Sequence, residues 1–339
     1  MKAAVVTRFG PPEVLKIQEL PIPEPEEGHL LVKVKAIGLN FADVFARMGV
    51  YPGIPNPPFV PGLEISGIIH KVGARVSRFK RGDRVLAFTR LGAYAEYVSV
   101  DVGHAVAMPK KMSFEEAAAI GVAYLTAYHG LIRLANIQKG EKLLIHAAGG
   151  GVGIATIQIA KHLGAEVFGT AGSETKLEVA RAQGLDHAIN YRTQSFDRVI
   201  RDATNGYGID VIMDSVGGAL FRKGWKLLAP MGRYVLFGFA AVTGKKTVNR
   251  VKALKEIAAY PVIFPPFVVS RNLGFFGFNL FFLMHKVEYL KQAVAQVLKW
   301  YGQKVIKPVI GAKFPFDEIT KAQEFLQSRK SYGKVVVTV

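Results

Sequence analysis

A glycine-rich stretch carries the clearest chemical signal in this sequence. Residues 143–153 read Leu-Leu-Ile-His-Ala-Ala-Gly-Gly-Gly-Val-Gly, and an apolar, helix-forming run follows at 154–165. The spacing Ala147-x-x-Gly150-x-x-Gly153 is a variant of G-x-G-x-x-G with alanine in the first place. Gly150 lets the backbone approach phosphates, and Gly153 lets the helix pack closely on the strand. Free amides at such a helix start usually bind a dinucleotide pyrophosphate, so this context favours a dinucleotide site over an ordinary glycine-rich loop.

The end of the next predicted strand, residues 166–170, indicates which dinucleotide is bound. An NAD site usually has a carboxylate about 20 residues past the glycines, where it accepts a hydrogen bond from the ribose 2′-hydroxyl. Here that position falls on Ala-Gly-Ser at 171–173, with Lys176 one turn further. A 2′-phosphate would be repelled by a carboxylate and bound by Ser173 and Lys176. Glu174 lies close enough to keep NAD open, but the pattern favours NADP(H).

Composition bounds the class of protein. At 339 residues the chain is long for one compact core, and two domains are expected. It contains no cysteine, which excludes disulfides, thiolate zinc sites and cysteine nucleophiles. The net charge of +18 favours anionic partners such as nucleotides, nucleic acid or acidic lipids, although a solvated basic surface explains it equally well. No nucleic-acid-binding motif accompanies the charge, so nucleic acid is the least favoured partner.

The first part of the chain, residues 1–122, predicts a β-rich unit. Residues 31–37 alternate apolar and charged side chains, as a half-buried strand does. Further strands are predicted at 2–7, 63–72, 83–88 and 93–98. Many short strands at this spacing suggest a small barrel. A capping box, Ser113 to Glu116, begins a helical stretch up to residue 136, which Gly121 is expected to divide into two helices.

From about residue 123 strands and helices alternate, which predicts a parallel, doubly wound sheet. The predicted strands are 142–147, 166–170, 187–190, 209–214 and 233–238. The predicted helices between them are 154–163, 173–183 and 196–204. Ligands of such sheets bind beyond the carboxyl ends of the strands. Helices at 287–303 and 316–329 and strands at 308–314 and 333–339 follow, and the last strand is expected to close the N-terminal β unit.

Residues 245–283 combine basic and apolar stretches. A basic run at 245–255 precedes a proline-broken apolar run at 261–269 and an aromatic run at 273–283. The aromatic run is too short to span a bilayer, and no run of 18 apolar residues occurs in the chain. It is expected to be an edge strand buried at a subunit contact, with a membrane-surface anchor as the alternative. No signal segment precedes the first strand, so we expect a cytoplasmic protein, with peripheral contact to an anionic membrane as the alternative.

Several motifs together resemble one known family. They lie at residues 40–43, 49–52, 61–67, 81–85, 147–153 and 214–218. In this order they resemble the medium-chain dehydrogenase/reductase superfamily and its zinc-free quinone oxidoreductase branch, and residues 226–232 and 277–280 look closest to its vesicle amine transport protein-like members. The resemblance implies an α/β protein with a GroES-like β-rich catalytic domain (1–122 and 286–339) and a Rossmann domain (123–285). It also implies a homodimer formed through the Rossmann edge strand.

The resemblance also implies positions for functional residues. Asn40, Asp43 and Tyr51 would lie at the cleft, where Asn40 could orient the substrate or the nicotinamide ribose and Tyr51 could donate to a developing enolate. The structural alternative is that Asn40 and Asp43 cap the helix that follows residue 39. The implied cofactor contacts are Tyr124 and Thr126 at the nicotinamide, Gly150, Gly151 and Val152 at the pyrophosphate, Ser173, Lys176 and Tyr191 at the 2′-phosphate, and Ser215, Phe237, Gly238 and Phe239 along the adenosine and nicotinamide walls. Tyr191 could equally be an ordinary core tyrosine.

The residue before Glu64 indicates whether the expected reaction depends on zinc. Zinc-dependent relatives carry a histidine where this sequence has Leu63, and leucine cannot coordinate a metal. Without a metal, alcohol oxidation lacks its Lewis acid. Hydride transfer from NADPH to a quinone or an α,β-unsaturated carbonyl needs only close carbons and a polarised oxygen. The expectation is therefore a zinc-independent, NADPH-dependent quinone or enone reductase, with a weakly catalytic NADPH-binding protein at membrane surfaces as the alternative.

Overall fold

The computed structural model describes residues 1–242, 250–260 and 262–339. Its strands are β1 (Lys2–Val6), β2 (Leu15–Glu19), β3 (His29–Leu39), β4 (Glu64–Val72), β5 (Arg84–Phe88), β6 (Tyr97–Asp101), β7 (Ala105–Ala107), β8 (Lys142–His146), β9 (Glu166–Ala171), β10 (His187–Asn190), β11 (Ile209–Asp214), β12 (Leu228–Leu236), β13 (Gly274–Gly277), β14 (Ile310–Pro315) and β15 (Lys334–Thr338). Its helices are α1 (Phe41–Arg47), α2 (Phe114–Tyr128), α3 (Gly151–His162), α4 (Glu174–Arg181), α5 (Phe196–Ala203), α6 (Ala219–Trp225), α7 (Arg250–Ala258), α8 (Pro265–Arg271), α9 (Val287–Gly302) and α10 (Ile319–Gln327).

The described strands form two large sheets and a small one. One large sheet is parallel, with strand order β10-β9-β8-β11-β12-β13. The other follows the order β14-β15-β3-β4-β5-β7, with β6 paired to β3, and is mainly antiparallel. The strand β1 pairs with β2 in the small sheet. The predicted combination of a β-rich unit and a doubly wound sheet is therefore confirmed, and β15 joins the N-terminal unit as expected.

The predicted break at Gly121 is wrong. The helix α2 runs through this residue without interruption and continues into a π-helical stretch, His129–Leu134. A Cβ at position 121 would lie 2.5 Å from Glu64 Oε2 and 2.9 Å from the Phe88 ring. The glycine therefore allows close packing of α2 against β4 and β5, and it does not end the helix. The predicted capping box is confirmed, since Glu116 N donates to Ser113 Oγ (3.1 Å) and Ser113 N donates to Glu116 Oε2 (3.0 Å).

Helix α2 and its π-helical extension are apolar enough to raise the question of a membrane span. Residues Phe114–Leu134 are long and apolar enough to cross a membrane, but 72% of their most apolar stretch is buried inside the protein. Together with α3 and α9, this helix packs into the largest cluster of buried apolar side chains. Such a helix is the core of a folded domain, where apolar composition reflects burial in protein.

The strand predicted at 93–98 begins later than expected. Ala95 makes only an isolated bridge to Ala3, and the continuous strand β6 starts at Tyr97. Tyr94 instead turns inward, where its side chain is fully buried, and its amide donates to Pro61 O (3.0 Å). The apolar residues at 93–95 therefore serve the core of the N-terminal unit and not a regular ladder.

The structure describes part of the basic and aromatic segment at residues 245–283. Residues 243–249 and 261, which include the first half of the basic run, lie outside the described residues. Strand β13 forms the edge of the parallel sheet, as the aromatic run predicted. Helix α8 has no buried residue, and Val262, Phe264 and Val269 expose 92%, 62% and 75% of their surface. This part of the surface is therefore strongly apolar.

Candidate cofactor-binding and active site

The glycine-rich turn connects β8 to α3 at the carboxyl end of the parallel sheet. Ala147 adopts the left-handed conformation (φ 56°), at the place where the motif usually has glycine. Gly150 is the N-cap of α3, and its amide donates to Ala147 O (2.9 Å). A Cβ at Gly153 would lie 2.5 Å from both Ala147 O and Ala148 O. The third glycine is therefore required for the helix to start so close to the strand.

A large cavity of about 1020 Å³ extends from this turn into the N-terminal β unit. Small-ligand pockets usually measure about 300–1,000 Å³, so the volume of this cavity lies at the upper end of that range and suits a ligand as large as a dinucleotide. Most of the predicted site residues border it, namely Asn40, Tyr51, Thr126, Ala147, Gly150, Gly151, Val152, Gly153, Lys176, Tyr191, Ser215, Phe237, Gly238 and Phe239. Three predicted residues do not border it, namely Asp43, Tyr124 and Ser173.

The turn fits a pyrophosphate. At Gly150 an added Cβ would meet only Ala147 O, at 3.3 Å, and at Gly151 nothing would lie closer than 3.6 Å. Both residues border the cavity, so the space next to their backbone is open to a ligand. Helix α3 has 12 residues, and its first amides have no intrahelical partner. These amides and the helix dipole favour a bound anion.

A cationic cluster borders the cavity beyond β9. Lys176, Arg192 and Arg329 all line it, and Lys176 Nζ donates to Arg329 O (2.6 Å). Burial, and then the charges of Arg192 and Arg329, lower the pKa of Lys176. An added phosphate would relieve this repulsion, because its negative charge attracts all three cations. Cations gathered at one end of the cavity therefore suit a 2′-phosphate.

Two neighbours of the cationic cluster settle questions left open by the sequence. Glu174 does not border the cavity, and its carboxylate pairs with Arg181 (2.5 Å) on the same helix. It is therefore not placed to accept from a ribose hydroxyl as an NAD-binding carboxylate would. Tyr191 is 49% exposed, so it is not a core tyrosine. Its hydroxyl lies only 2.4 Å from where a Cβ on Gly172 would stand, so Gly172 makes room for the ring.

Tyr124 and Thr126 lie on the same turn of helix α2, but their side chains have different surroundings. The Tyr124 hydroxyl is buried and donates to Gln158 Oε1 (2.7 Å). This contact joins α2 to α3, away from the cavity. Thr126 borders the cavity, and its hydroxyl donates to Val122 O (2.7 Å) within the helix. Of the two, only Thr126 is therefore placed to touch a ligand.

A buried hydrogen-bond network forms the wall of the cavity on the side of the N-terminal unit. Lys334 Nζ donates to Glu64 Oε1 (2.5 Å) and to Asn40 Oδ1 (2.7 Å). Asn40 Nδ2 donates to the same Glu64 oxygen (2.8 Å), and Val122 N donates to Glu64 Oε2 (2.7 Å). The side chains of Lys334 and Glu64 are only 5% and 2% exposed. The further hydrogen bonds from Asn40 and Val122 to Glu64, and from Lys334 to Asn40, offset part of the cost of burying this pair.

Asp43 supports this wall from behind. Its Oδ2 accepts hydrogen bonds from Asn40 N (2.8 Å) and the Tyr94 hydroxyl (3.0 Å), while Oδ1 is buried without a partner among the described residues. Burial raises the pKa of Asp43 from 3.8 to about 7, although the bonds from Asn40 and Tyr94 oppose the shift. The bond to Asn40 N is half of a capping box, so the helix-capping reading applies to Asp43. Asp43 therefore fixes Asn40 without reaching the cavity.

Tyr51 borders the cavity from the N-terminal unit. Its hydroxyl donates to Asn279 Oδ1 (2.8 Å), and its ring packs edge-on against Phe281. Burial raises the pKa of Tyr51 to about 12, so the hydroxyl keeps its proton. Phe45 and Phe239 stack at 5.1 Å between ring centres on the cavity wall. This end of the cavity is therefore aromatic, with a few polar groups at fixed places.

The sequence did not single out several residues that the structure brings to the cavity. These are Lys334, Asn279, Arg192 and Arg329. Lys334 is the first residue of β15, directly before its valine run. A lysine in a strand that must be buried is unusual, so this position could have been recognised as a candidate site residue. Asn279 and Arg329 come from distant parts of the chain, and no local pattern links them to the glycine turn.

The described residues contain no group of three or more metal-ligating side chains that could hold a metal ion. Leu63, which stands where the zinc-dependent relatives carry histidine, borders the cavity. Glu64, the next residue in the chain, is hydrogen-bonded to Asn40 and Lys334, and the ammonium of Lys334 already neutralises the carboxylate. Such a set does not suit a bound cation, because a cation would have to displace Lys334.

The fold and the site together define a class: a two-part oxidoreductase with a GroES-like unit and a dinucleotide-binding unit. Family models agree with this, since the alcohol dehydrogenase GroES-like domain matches residues 26–110 and the zinc-binding dehydrogenase family matches residues 151–267. The chain belongs to the medium-chain dehydrogenase/reductase superfamily, in the part that contains quinone oxidoreductases and VAT-1 homologues.

Individual relatives cover almost the whole chain. The human synaptic vesicle membrane protein VAT-1 homolog is 37% identical over 341 residues, covering 99% of this chain and 86% of that protein. The quinone oxidoreductase of Lama guanicoe is 33% identical, covering 99% of this chain and 97% of that protein. Among solved structures, Escherichia coli quinone oxidoreductase complexed with NADPH is 31% identical, with a TM-score of 0.88 over 100% of both chains. The similarity therefore extends over both units and the cleft.

Proposed function

We propose that this chain is an NADPH-dependent oxidoreductase that reduces a quinone or an α,β-unsaturated carbonyl compound without zinc. One observation carries the proposal: a single cavity joins the glycine turn and the cationic cluster to an aromatic pocket bordered by Asn40, Tyr51 and Lys334. NADPH binding is further supported by the E. coli quinone oxidoreductase, which was solved as its NADPH complex. When bound, NADPH supplies a hydride.

The residues of this chain would share the remaining tasks. Gly150, Gly151 and Val152 would hold the pyrophosphate, and Lys176, Arg192 and Tyr191 the 2′-phosphate. Thr126, Ser215 and the run 237–239 would form the walls that fix the nicotinamide and the adenosine. Asn40 would orient a ligand hydroxyl or carbonyl at the cleft, and Asp43 would hold Asn40 in place. Tyr51 would line the substrate pocket, and its hydroxyl would reach the substrate only if the bond to Asn279 were exchanged.

The test is a direct assay of the purified chain. NADPH is mixed with a panel of quinones and enones, and the absorbance of the reduced nicotinamide is followed with and without a strong zinc chelator. We expect oxidation of NADPH with at least one acceptor class, unchanged by the chelator. Absence of NADPH binding in a fluorescence titration would contradict the proposal, and loss of activity with the chelator would contradict its zinc-free part.

We also propose the domain limits and the assembly. Residues 1–122 and 286–339 would form the catalytic domain and residues 123–285 the Rossmann domain, in a cytoplasmic homodimer joined through β13. The edge position of β13 supports this, since unpaired strand edges are usually covered. Sedimentation should give twice the chain mass of 37.0 kDa; a monomer at micromolar concentration would contradict it.

A second candidate function is NADPH-dependent action at a membrane surface. The exposed apolar side chains of Val262, Phe264 and Val269 favour it, and they lie in a segment that also carries Lys255 and Arg271. Vesicles with anionic lipid should then co-sediment the chain at low salt. The variant Val262→Glu/Val269→Glu should release it, while Ile22→Glu/Met231→Glu, which adds the same charge at exposed positions elsewhere, should not. Equal behaviour of both variants would contradict this function.

A further inference from the structure

The buried ammonium of Lys334 has a donor to spare. An ammonium has three N–H groups, and within the described residues two of them are used, by Glu64 Oε1 (2.5 Å) and Asn40 Oδ1 (2.7 Å). Lys334 borders the cavity although its side chain is only 5% exposed. What little of this side chain is accessible therefore faces the ligand space.

The neighbours of Lys334 have fewer groups to offer. Asn40 Nδ2 uses both hydrogens, on Glu64 Oε1 (2.8 Å) and Gly38 O (3.2 Å). Glu64 accepts on both oxygens, from Lys334 and Asn40 on one and from Val122 N on the other. The donor that this network still offers is therefore the third N–H of Lys334.

The backbone holds this donor rigidly beside the glycine turn. Gly333 N donates to Gly149 O (2.8 Å), and Gly333 adopts a left-handed conformation (φ 54°), in which a Cβ would meet Val309 O at 2.3 Å. The Lys334 stem passes the first residue of α3, since its Cδ lies 3.7 Å from where a Cβ on Gly151 would be. The ammonium therefore sits where the phosphate-binding turn meets the aromatic pocket.

We propose that Lys334 is a catalytic residue that binds the carbonyl oxygen of the substrate and stabilises the negative charge that develops there. The inference rests on the proposed function. When hydride bonds to the β-carbon, the π pair of the carbon–carbon double bond forms a new double bond between the α-carbon and the carbonyl carbon, and the carbonyl π pair moves to the oxygen. Lys334 Nζ donates its third N–H to that oxygen, and the α-carbon later takes a proton from water. A fixed, desolvated cation of this kind does for the oxygen what a metal does in metal-dependent enzymes.

The test must avoid leaving Glu64 as an unpaired buried charge, which alone costs about 3–5 kcal/mol. We therefore choose the double variant Lys334→Met/Glu64→Gln, because joint replacement of a buried pair is often close to neutral for stability. The matched control is Arg233→Met/Glu141→Gln, which removes another ion pair (2.7 Å), between β12 and the loop before β8, that does not border the cavity. Thermal unfolding checks both variants.

Two readouts follow. In single turnover with saturating NADPH and an enone, we expect the hydride transfer rate of the Lys334 double variant to fall roughly 100-fold or more, and the control to stay within about threefold. With NADP⁺ bound, 4-nitrophenolate serves as a mimic of the charged oxygen. Its affinity should fall at least about tenfold in the Lys334 double variant, while that of nitrobenzene, which has no phenolate oxygen, should not change.

The contrary outcomes are distinct. If the double variant transfers hydride and binds 4-nitrophenolate like the native chain, Lys334 does not bind the substrate oxygen, and the proposed reductase function is untouched. If NADPH affinity falls while the rate at saturation is unchanged, the ammonium binds a cofactor hydroxyl and the inference is wrong. If the native chain neither binds nor oxidises NADPH, the proposed function fails, and the inference falls with it before any variant is measured.

Discussion

At the scale of single residues, the network around Asn40 combines two roles, capping a helix and lining the cavity. The sequence suggested two readings of Asn40 and Asp43, as cleft residues or as caps. The structure gives Asn40 both roles, since it borders the cavity and is the N-cap of α1, whereas Asp43 takes part only in the cap. Because Asp43 is fully buried, its protonation is tied to folding.

Asp43 makes stability depend on pH. Burial raises its pKa in the folded state from 3.8 to about 7, so the folded chain retains a proton that the unfolded chain releases. The stability contributed by this proton is full below pH 4 and is lost as the pH rises toward 7 and above. The size is roughly 1.4 kcal/mol for each unit of pKa shift.

The variant Asp43→Asn should remove this dependence, because the amide cannot ionise. Between pH 5 and pH 8 the free energy of unfolding of the native chain should fall more than that of the variant, as measured by urea denaturation at each pH. All other titrating groups are shared, so they cancel in the comparison. Parallel pH curves for the two proteins would show that Asp43 does not titrate in this range.

Alanine variants of Lys176 and Glu174 should differ in their effect on NADPH affinity. Lys176→Ala should raise the Kd for NADPH about 10- to 100-fold and leave the Kd for NADH nearly unchanged, because a charge-assisted bond to the 2′-phosphate is lost. Glu174→Ala should change neither value, since this carboxylate pairs with Arg181 outside the cavity. Isothermal titration with both cofactors gives the four constants. A similar loss of NADPH and NADH affinity in the lysine variant would contradict this assignment.

At the scale of elements, the strand–turn–helix unit was the most predictable part of the molecule. Its period, glycine spacing and following strand all agree locally, and β8, α3 and β9 lie within a few residues of their predicted bounds. Gly121 was misread because its reason lies outside its own helix. Helix propensity treats glycine as a breaker, whereas here contact with Glu64 and Phe88 demands the absence of a side chain.

The two glycines of the motif, Gly150 and Gly153, should respond differently to alanine. Gly153→Ala should lower the free energy of unfolding by about 1–3 kcal/mol, because its Cβ would lie 2.5 Å from two carbonyl oxygens. Gly150→Ala should leave stability within about 1 kcal/mol, since its Cβ would have only one neighbour, at 3.3 Å. Its NADPH affinity should nevertheless fall at least about tenfold, because the methyl group enters the space of the pyrophosphate. Thermal unfolding and titration separate the two effects, and a reversed pattern would contradict the assigned roles.

At the scale of the whole molecule, the site could be predicted only in part. Local sequence spacing predicted the glycine turn and Lys176, whereas Lys334 and Asn279 reach the cavity through the arrangement of both units. Asn279 follows the edge strand β13, and Tyr51 lies in the N-terminal unit, yet their side chains bond directly. Such pairs depend on how the units meet, and no sequence period carries that information.

This arrangement predicts that one ligand protects both units. The Gly333 amide donates to Gly149 O, directly beside the turn that would hold the pyrophosphate. Saturating NADPH should therefore slow hydrogen exchange in residues 149–153 and in residues 333–334 to a similar degree, measured by mass spectrometry on peptides from each region. Slowing at the glycine turn alone would mean that the two regions open independently.

The bond between Gly333 and Gly149 also has a consequence for synthesis in the cell. The two residues are separated by roughly 180 positions, which a ribosome translates in about ten to forty seconds. During that interval the glycine turn exists while Lys334, its neighbour in the finished cavity, has not yet been made. The glycine turn of a nascent chain therefore lacks its hydrogen bond from Gly333 until the last strand has been made.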